Sequence, residues 1–278
     1  MEFPFKAPAR LMTPTVRIAV RLEEGVSLRI SNPSLRHLGA FSAELSTRLQ
    51  NGSHLFLYGP RGSGKSTLLA SMRDDYCSRL IPCAIAPQIS GLRDIVTALS
   101  QAYPEVDLED LNRRAVGVRL RLAADRISGV LLLDHTREIT TAMIGYLRRL
   151  RGGVVGALMV VDIDSDFERE RLRDWRRHAL CLRMPLMSNG QLRRLLVSQW
   201  GTCGLPAIDQ RITRHLIHAA RGRVGWLTDC VRRLQMPDYW SGSRLRVGGL
   251  CIDTEIAIRE GGFGPRMSRR SMRLQIRA

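Results

Sequence analysis

Gly59-Pro60-Arg61-Gly62-Ser63-Gly64-Lys65-Ser66-Thr67 is the stretch that decides the fold of this chain, because it fits the pattern G-x-x-x-x-G-K-[ST]. Its lysine is unusual here, since only Lys6 and Lys65 are lysines among the 43 lysines and arginines of the sequence. Arginine carries a wide planar fork, whereas lysine carries a compact ammonium on a flexible stem. A site that places a point charge inside a ring of backbone amides accepts lysine and excludes arginine. We therefore interpret this stretch as a phosphate-binding loop, the P-loop.

The residues on either side of the P-loop support this interpretation. Residues 54–58 form a short apolar run that predicts a buried strand, and residues 66–72 begin a helix without proline. A strand, a glycine-rich loop and a helix in this order form the arrangement in which the motif binds phosphate. The alternative is a flexible Gly/Ser turn without a ligand.

The residue types in the P-loop predict how it binds a nucleotide. The glycines let the backbone curl so that N–H groups point inward, and the helix that begins near Gly64 adds its positive end. Lys65 is expected to reach the β- and γ-phosphates, and Ser66 to bind Mg²⁺. Thr67 is expected near the α-phosphate. Arg61 occupies a variable position, and we expect it to be solvated or to face a neighbouring subunit.

The charge of the chain indicates a polyanionic partner. The 43 basic and 26 acidic residues give a net charge of +17 and a pI of about 11.0, which favours DNA, RNA or anionic lipid. A genome composition that converts lysine to arginine would explain why the basic residues are arginines. It would not explain why basic residues outnumber acidic ones. Aromatic residues make up 5% of the chain, which argues against base stacking as the main mode of binding.

Other features of the composition concern location. No apolar run approaches the ~20 residues that a membrane helix requires, and the N-terminus does not resemble a secretory signal. The six cysteines are scattered without a C-x-x-C pair, which is typical of reduced thiols in a cytosolic protein. We therefore predict a cytoplasmic protein without a transmembrane segment.

The pattern along the chain predicts four parts. Residues 1–33 form an N-terminal arm, 34–186 a P-loop ATPase core, 187–260 a helical lid and 261–278 a basic, disordered tail. In the core, strands are predicted at 54–58, 83–86, 130–134, 154–163 and 179–182, and helices at 34–49, 66–72, 92–102, 111–127, 139–149 and 168–176. Alternating strands and helices predict an α/β fold with a parallel sheet sandwiched by helices. The small lid is predicted to be all-helical, with helices at 191–200, 209–220 and 224–234.

A second motif follows the P-loop in the predicted core. Val130, Leu131, Leu132 and Leu133 form an apolar run that is closed by Asp134. A buried parallel strand would deliver this carboxylate beside the P-loop, where it holds Mg²⁺ as a Walker B residue. The alternative is a buried strand that ends in a turn-forming aspartate.

With these two motifs in this order, the chain resembles the AAA+ ATPases, especially the branch that initiates replication, loads helicases and regulates transposition. The resemblance covers about residues 35–235. It implies a P-loop NTPase fold, ATP and Mg²⁺ as cofactors, and a homo-oligomer with ATP at its subunit interfaces.

The resemblance also implies roles for residues outside the two motifs. The sensor-1 strand ends near Asp162 and Asp164, and either carboxylate could contact the γ-phosphate or the attacking water. Arg176 and Arg177 are the candidates for an arginine finger that completes a neighbour's ATP site, with a basic surface helix as the alternative. Arg223 is the nearest candidate for the sensor-2 arginine of the lid.

The chain departs from the AAA+ pattern at two places. Gly225 occupies the usual position of the sensor-2 arginine, and His135 follows Asp134 where a catalytic glutamate is normal. His135 could act as the base itself, since an imidazole has a suitable pKa, or Glu138 could replace the missing glutamate. In the interpretation that we favour, hydrolysis is slow and ATP acts as a switch or assembly ligand.

Three functions remain open from the sequence. The first is an AAA+ ATPase that assembles on nucleic acid, with DNA favoured, and regulates a partner protein in transposition, replication or helicase loading. The second is a nucleotide-dependent signalling or scaffold switch of the STAND type, for which 278 residues leave little room for sensor domains. The third is a membrane-associated secretion ATPase whose basic tail contacts anionic lipid.

Overall fold

Five parallel strands form the central sheet. The computed structural model describes residues 37–102, 129–136, 140–150, 155–162, 179–203, 209–242 and 244–260. The strands run in the order β2-β3-β4-β1-β5, so the first strand lies between the fourth and the fifth. Their bounds are β1 (His54–Gly59), β2 (Cys83–Ala86), β3 (Gly129–Leu133), β4 (Val155–Asp162) and β5 (Leu180–Arg183).

Helices cover both faces of this sheet because the strands are apolar on both sides. Leu55 and Leu57 of β1 pack on the face covered by α1 (Gly39–Gln50) and α2 (Lys65–Ser78). Phe56, between them, points to the opposite face. That face is covered by α3 (Leu92–Ala102) and α4 (Thr141–Leu150). A β-carbon on Gly156 of β4 would lie 2.0 Å from the carbonyl oxygen of Leu49, so glycine is what lets α1 approach the sheet.

The lid contains four helices and a small hairpin. The helices are α5 (Asn189–Thr202), α6 (Gln210–Ala220), α7 (Val224–Leu234) and α8 (Val247–Glu260). A 3-10 turn at Pro237–Tyr239 leads into β6 (Trp240–Ser241), which pairs with β7 (Arg244–Leu245) in antiparallel fashion. The helices share an apolar core centred on Trp226, which is 1% exposed.

The sequence-based elements agree closely with the structure. All five predicted strands are present with their ends shifted by no more than one residue, and two helices, α3 and α7, match at both ends. The hairpin and α8 are additions to the predicted lid. The arm at 1–33, the helices at 111–127 and 168–176 and the tail at 261–278 lie outside the described residues. None of the helices in the described part of the chain has the length and hydrophobicity that a membrane span requires.

Candidate nucleotide-binding site

The P-loop connects the carboxyl end of β1 to the first residue of α2. Gly62 has φ 77° and Gly64, the N-cap of α2, has φ 95°. These left-handed conformations are strained for residues with a side chain, so the two glycines allow the tight turn. Ser66 and Thr67 are exposed at the start of the helix. The loop therefore presents a helix N-terminus at the edge where three neighbouring strands, β3, β4 and β1, end.

Lys65 is buried beneath the loop, with 4% of its surface exposed. Its Nζ donates to the carbonyl oxygens of Gly59 and Pro60 at 2.8 Å each, and it lies 3.3 Å from the hydroxyl of Ser63. It also forms an ion pair with Asp162 Oδ1 at 2.8 Å. Four oxygen atoms thus surround one ammonium group, an arrangement that a compact cation satisfies better than a planar guanidinium.

Asp162 ends β4 and reaches the P-loop because β4 pairs with β1 in a register that sets it opposite Gly59. Its Oδ2 lies 3.5 Å from Nε of Arg61. Burial alone would raise the pKa of Asp162, but His135, Lys65 and Arg61 outweigh burial and hold the pKa well below its usual range. The carboxylate is therefore ionised at neutral pH, and it neutralises the lysine of the P-loop.

Arg61, which we expected to be solvated or to face a neighbouring subunit, contacts the lid and Asp162 in this structure. Besides its approach to Asp162, Arg61 donates from Nη1 to the backbone carbonyl of Arg259 at the end of α8. Its side chain is only 40% exposed. The reason is that the lid returns over the P-loop, which local sequence around Arg61 does not reveal.

Asp134 and His135 follow β3, two strands away from β1. Asp134 is 7% exposed, and its Oδ1 accepts the backbone N–H of His135 at 2.9 Å. The backbone of His135 is left-handed, with φ 43°, a conformation that is uncommon outside glycine and often occurs at functional sites. The turn directs the imidazole toward the P-loop helix, where Nε2 lies 3.4 Å from the Ser66 hydroxyl.

The imidazole of His135 also lies between two carboxylates. Its Nδ1 is 3.8 Å from Asp162 Oδ2 and its Nε2 is 3.8 Å from Asp134 Oδ2. Interaction with Asp162 is the largest cause that raises the pKa of His135, burial opposes it, and Asp134 adds to it. The imidazole of His135 therefore stays protonated to a higher pH than that of an ordinary histidine.

The oxygen atoms at this edge suit Mg²⁺. Ser66 and Asp134, the two residues predicted to bind the ion, are both in contact distance of His135 and so share one corner of the site. No group of three or more His, Cys, Asp or Glu residues within the described ranges could hold a metal by itself. Mg²⁺ in phosphate sites needs only one or two protein ligands, because phosphate oxygens and water complete its shell.

Comparison with solved structures assigns the fold. The Walker-type ATPase PABY2304 of Pyrococcus abyssi matches with a TM-score of 0.52 at 14% identity, over 92% of this chain and 79% of that one. The chain has the fold of this Walker-type ATPase, a parallel-sheet P-loop ATPase fold. At such identity the likeness concerns the fold alone. No protein-family model matches the sequence, and no curated protein does.

Replication initiation proteins match less closely, at similarly low identity. Domain III of the Thermotoga maritima replication initiation protein DnaA matches with a TM-score of 0.48 at 13% identity, over 81% of this chain and 94% of the domain. A DnaA bound to AMPPCP and single-stranded DNA matches with a TM-score of 0.47 at 14% identity, over 75% of this chain. The chain spans 63% of the length of that DnaA and 62% of a further replication initiation factor.

The lid contacts the P-loop through a glycine. The N–H of Gly225, at the start of α7, donates to the Gly62 carbonyl at 2.7 Å. A β-carbon on Gly225 would lie 3.0 Å from that oxygen. Arg223, the predicted sensor-2 candidate, instead pairs with Glu255 of α8 at 2.8 Å and donates to carbonyls of α6. Its guanidinium therefore supports the lid in this structure.

Several predicted site residues cannot be placed. Glu138, Asp164, Arg176 and Arg177 lie outside the described residues, so the alternative base, the second sensor candidate and the arginine finger stay predictions. Sequence reasoning missed the pairing of Arg61 with Asp162. The signal that could have found it is the strand order, since a parallel sheet with β4 beside β1 brings their carboxyl ends together.

Proposed function

We propose that this chain binds ATP with Mg²⁺ at the P-loop, hydrolyses it slowly, and assembles with nucleic acid to regulate a partner in a DNA transaction. The observation that carries the proposal is the buried ammonium of Lys65 under a P-loop at the carboxyl edge of a parallel sheet. A buried cation needs an anionic partner, and the one it has, Asp162, is a side chain that a phosphate can replace.

Nucleotide binding at this site exchanges one anion for another. Lys65 donates to phosphate oxygens in place of Asp162, while Ser66 and Asp134 would hold Mg²⁺, which neutralises phosphate charge when it is bound. Asp162 then lies close to the phosphates as a carboxylate, where Arg61 and His135 compensate its charge. The site therefore favours a nucleotide that arrives with its metal ion.

We propose slow hydrolysis because His135 stands where a catalytic glutamate is expected, and because its surroundings before a nucleotide binds favour the protonated form. A general base must be unprotonated to accept a proton from water. The carboxylates of Asp162 and Asp134 raise the pKa of His135 and so favour the form that cannot accept one. ATP would persist long enough at neutral pH to act as an assembly ligand, with hydrolysis as the step that releases the assembly.

Nucleic acid is the partner that best fits the charge of the chain. A net charge of +17 in 278 residues provides many phosphate contacts, and binding dominated by such contacts is independent of sequence and sensitive to salt. We favour DNA as the nucleic acid and the cytoplasm as the location of the protein. The chain would form a homo-oligomer with ATP bound between subunits. The partner protein acts in transposition, replication or helicase loading.

A STAND-type switch is the second candidate, and the contact between lid and P-loop favours it. The hydrogen bond from Gly225 to Gly62 closes the lid on the loop without an intervening side chain. A lid that closes in this way can lock a nucleotide and expose a partner surface when it opens. This function requires no DNA.

Sedimentation velocity separates the two candidates. The full chain is measured with ATP and Mg²⁺, with and without duplex DNA, at low and high salt. The AAA+ proposal predicts larger particles that need both ATP and DNA and that dissociate at high salt. An ATP-dependent change that is identical without DNA would contradict it and support the switch.

A further inference from the structure

A basic groove lies between α5 and α6 of the lid, away from the P-loop residues described above. Its volume is about 700 Å³, within the range of sites that hold small ligands or short segments of a larger one. Three arginines and two histidines line it, namely Arg193, Arg211, Arg214, His215 and His218. We call these five residues and the space between them the lid groove.

Helix geometry places the arginines and histidines of the lid groove on one surface. Arg211, Arg214, His215 and His218 follow the i, i+3, i+4, i+7 spacing that places residues on one face of a helix. The opposite face of α6 is buried in the lid core, and all four residues of the stripe are exposed. Arg193 faces them from α5, so the charges converge from two helices.

These charges are not neutralised within the described part of the chain. No ion pair in the described residues involves Arg193, Arg211 or Arg214, whereas Arg223 and Arg233 of the same lid pair with Glu255 and Asp229. The lining of the groove contains no Asp or Glu. The acid nearest in sequence, Asp209, accepts the backbone N–H of Arg211 at 2.9 Å as the cap of α6. The groove therefore retains its positive field.

The two helices that form the lid groove are firmly held. Ser188 and Gln191 form a reciprocal capping box at the start of α5. Leu196 of α5 and Leu216 of α6 are fully buried in the lid core. Because the backbone that carries the arginines is fixed, less conformational entropy is lost when an anion binds.

We propose that the lid groove binds consecutive phosphates of a nucleic-acid backbone. Guanidinium groups match phosphate oxygens in two-pronged hydrogen bonds, and imidazole N–H groups add donors. The lining contains no Phe, Tyr or Trp, so bases are not stacked and their sequence is not read. A concave groove follows a strand better than it follows the plane of a membrane, which favours nucleic acid over lipid.

This inference rests on the nucleic-acid part of the proposed function and assigns it a place in the fold. Arg193→Gln/Arg214→Gln removes two charges from the groove. The matched control, Arg194→Gln/Arg246→Gln, removes two charges from exposed lid arginines that do not line it. Fluorescence anisotropy with labelled single-stranded and duplex oligonucleotides is recorded for the full-length parent and both variants over a series of salt concentrations. ATP binding is measured in parallel as a check of folding.

If the lid groove binds phosphates, the groove variant Arg193→Gln/Arg214→Gln should bind DNA at least about tenfold more weakly than the control at moderate salt. Its slope of log K against log salt should fall by about 1.8 on duplex or about 1.4 on single strands, the loss of two phosphate contacts. An equal loss of DNA affinity in both variants would contradict the proposed role of the groove and leave the proposed function unaffected. A parent that binds no DNA would overturn both. Binding to phosphatidylserine vesicles that depends on the groove, with DNA binding unaffected, would reassign the groove to lipid.

Discussion

At the level of single residues, Asp162 is the anion that the proposed nucleotide would displace from Lys65. The carboxylate pairs with Lys65 at 2.8 Å, and it stays ionised because a hydrogen bond with His135 and the charges of Lys65 and Arg61 hold its pKa well below the usual range. A like-charge pair about 4 Å apart costs about 1 kcal/mol even when water screens it fully, and more in a partly buried site. Asp162 therefore keeps the P-loop neutral without ligand and opposes the phosphates when they bind.

Asp162→Asn should increase the affinity for ATP by at least about fivefold, because it removes this opposing charge and frees Lys65. Isothermal titration with ATP and Mg²⁺ measures the effect. Asp94→Asn provides a control, since that carboxylate caps the start of α3. Weaker binding in Asp162→Asn would mean that the carboxylate supports the nucleotide, as a metal ligand would.

If His135 is the general base of the proposed hydrolysis, its pKa should set the pH dependence of the rate. Its pKa is raised, above all by Asp162, so the neutral form that acts as a base appears only as pH rises above the ordinary histidine value of about 6.5. The rate of phosphate release should therefore increase with pH across the neutral range.

His135→Glu should change both the rate and its pH profile. A carboxylate with a pKa near its ordinary value of about 4.3 is ionised throughout the neutral range, so the rate should become nearly flat above pH 6. It should also rise at least about tenfold at pH 7, since general bases contribute about 10²–10⁴. Glu44→Gln, on the exposed face of α1, should leave the profile unchanged. A parent rate that is already fast and independent of pH would show that another group is the base.

At the level of elements, the lid depends on a buried ion pair. Asp229 of α7 is 2% exposed and lies 2.8 Å from Nε of Arg233, which is itself 8% exposed. Asp229→Ala leaves a buried guanidinium without its carboxylate and should destabilise the lid by about 3–5 kcal/mol. Urea unfolding followed by tryptophan fluorescence reports this, since Trp200, Trp226 and Trp240 all pack in the lid core.

Glu44→Ala provides the matched control for this prediction. Glu44 pairs with Arg48 on α1 across one turn, but both side chains are about half exposed. Such pairs contribute about 0.3–0.5 kcal/mol. If the two variants unfolded at the same urea concentration, the buried pair would have no special role in the lid.

The elements differ in how well local sequence predicts them. The strands and helices of the core are continuous apolar runs or amphipathic segments, and these patterns depend on local spacing. Helix α8 has Gly248 and Gly249 as its second and third residues, and glycine is a poor helix former. It is stabilised by burial of Leu250 and Ile258 against the rest of the lid, and local sequence does not encode that contact.

The candidate site could be predicted only in part for a related reason. Lys65 and Asp134 belong to contiguous motifs, so their residue types and order indicate their chemistry. The contact between Lys65 and Asp162 depends on β4 lying beside β1, and strand order is set by the crossovers. The contact of Gly225 with Gly62 depends on the lid packing against the P-loop, and the residues around either glycine do not encode that packing.

At the level of the whole molecule, the lid and the core meet at the P-loop. Gly225 donates to Gly62, Arg61 donates to the backbone of Arg259, and Ile258 lies 3.4 Å from the place that a β-carbon on Gly62 would take. A nucleotide bound at the P-loop is therefore bound where the two parts contact each other. Its binding energy should stabilise both together.

ATP with Mg²⁺ at about 100 times its Kd should raise the Tm of the chain by about 5–11 °C. Such saturation contributes about 2.7 kcal/mol, and each kcal/mol raises Tm by about 2–4 °C in a protein near this size. Differential scanning calorimetry would show one transition that moves as a unit. Two transitions, of which only one moves, would show that lid and core are stabilised separately.

The most direct test of the account is a calorimetric titration of ATP–Mg²⁺ into the parent, Lys65→Ala and Lys65→Arg. The parent should bind one ATP per chain, and Lys65→Ala should lose at least about a hundredfold in affinity, because its charge-assisted bonds to phosphate are gone. Lys65→Arg should lose at least about tenfold, since a planar fork does not fit where one ammonium contacts Gly59, Pro60 and Asp162. A Lys65→Arg variant that binds like the parent would contradict the account of why lysine occupies this position, and a parent that binds no ATP would contradict the proposed function itself.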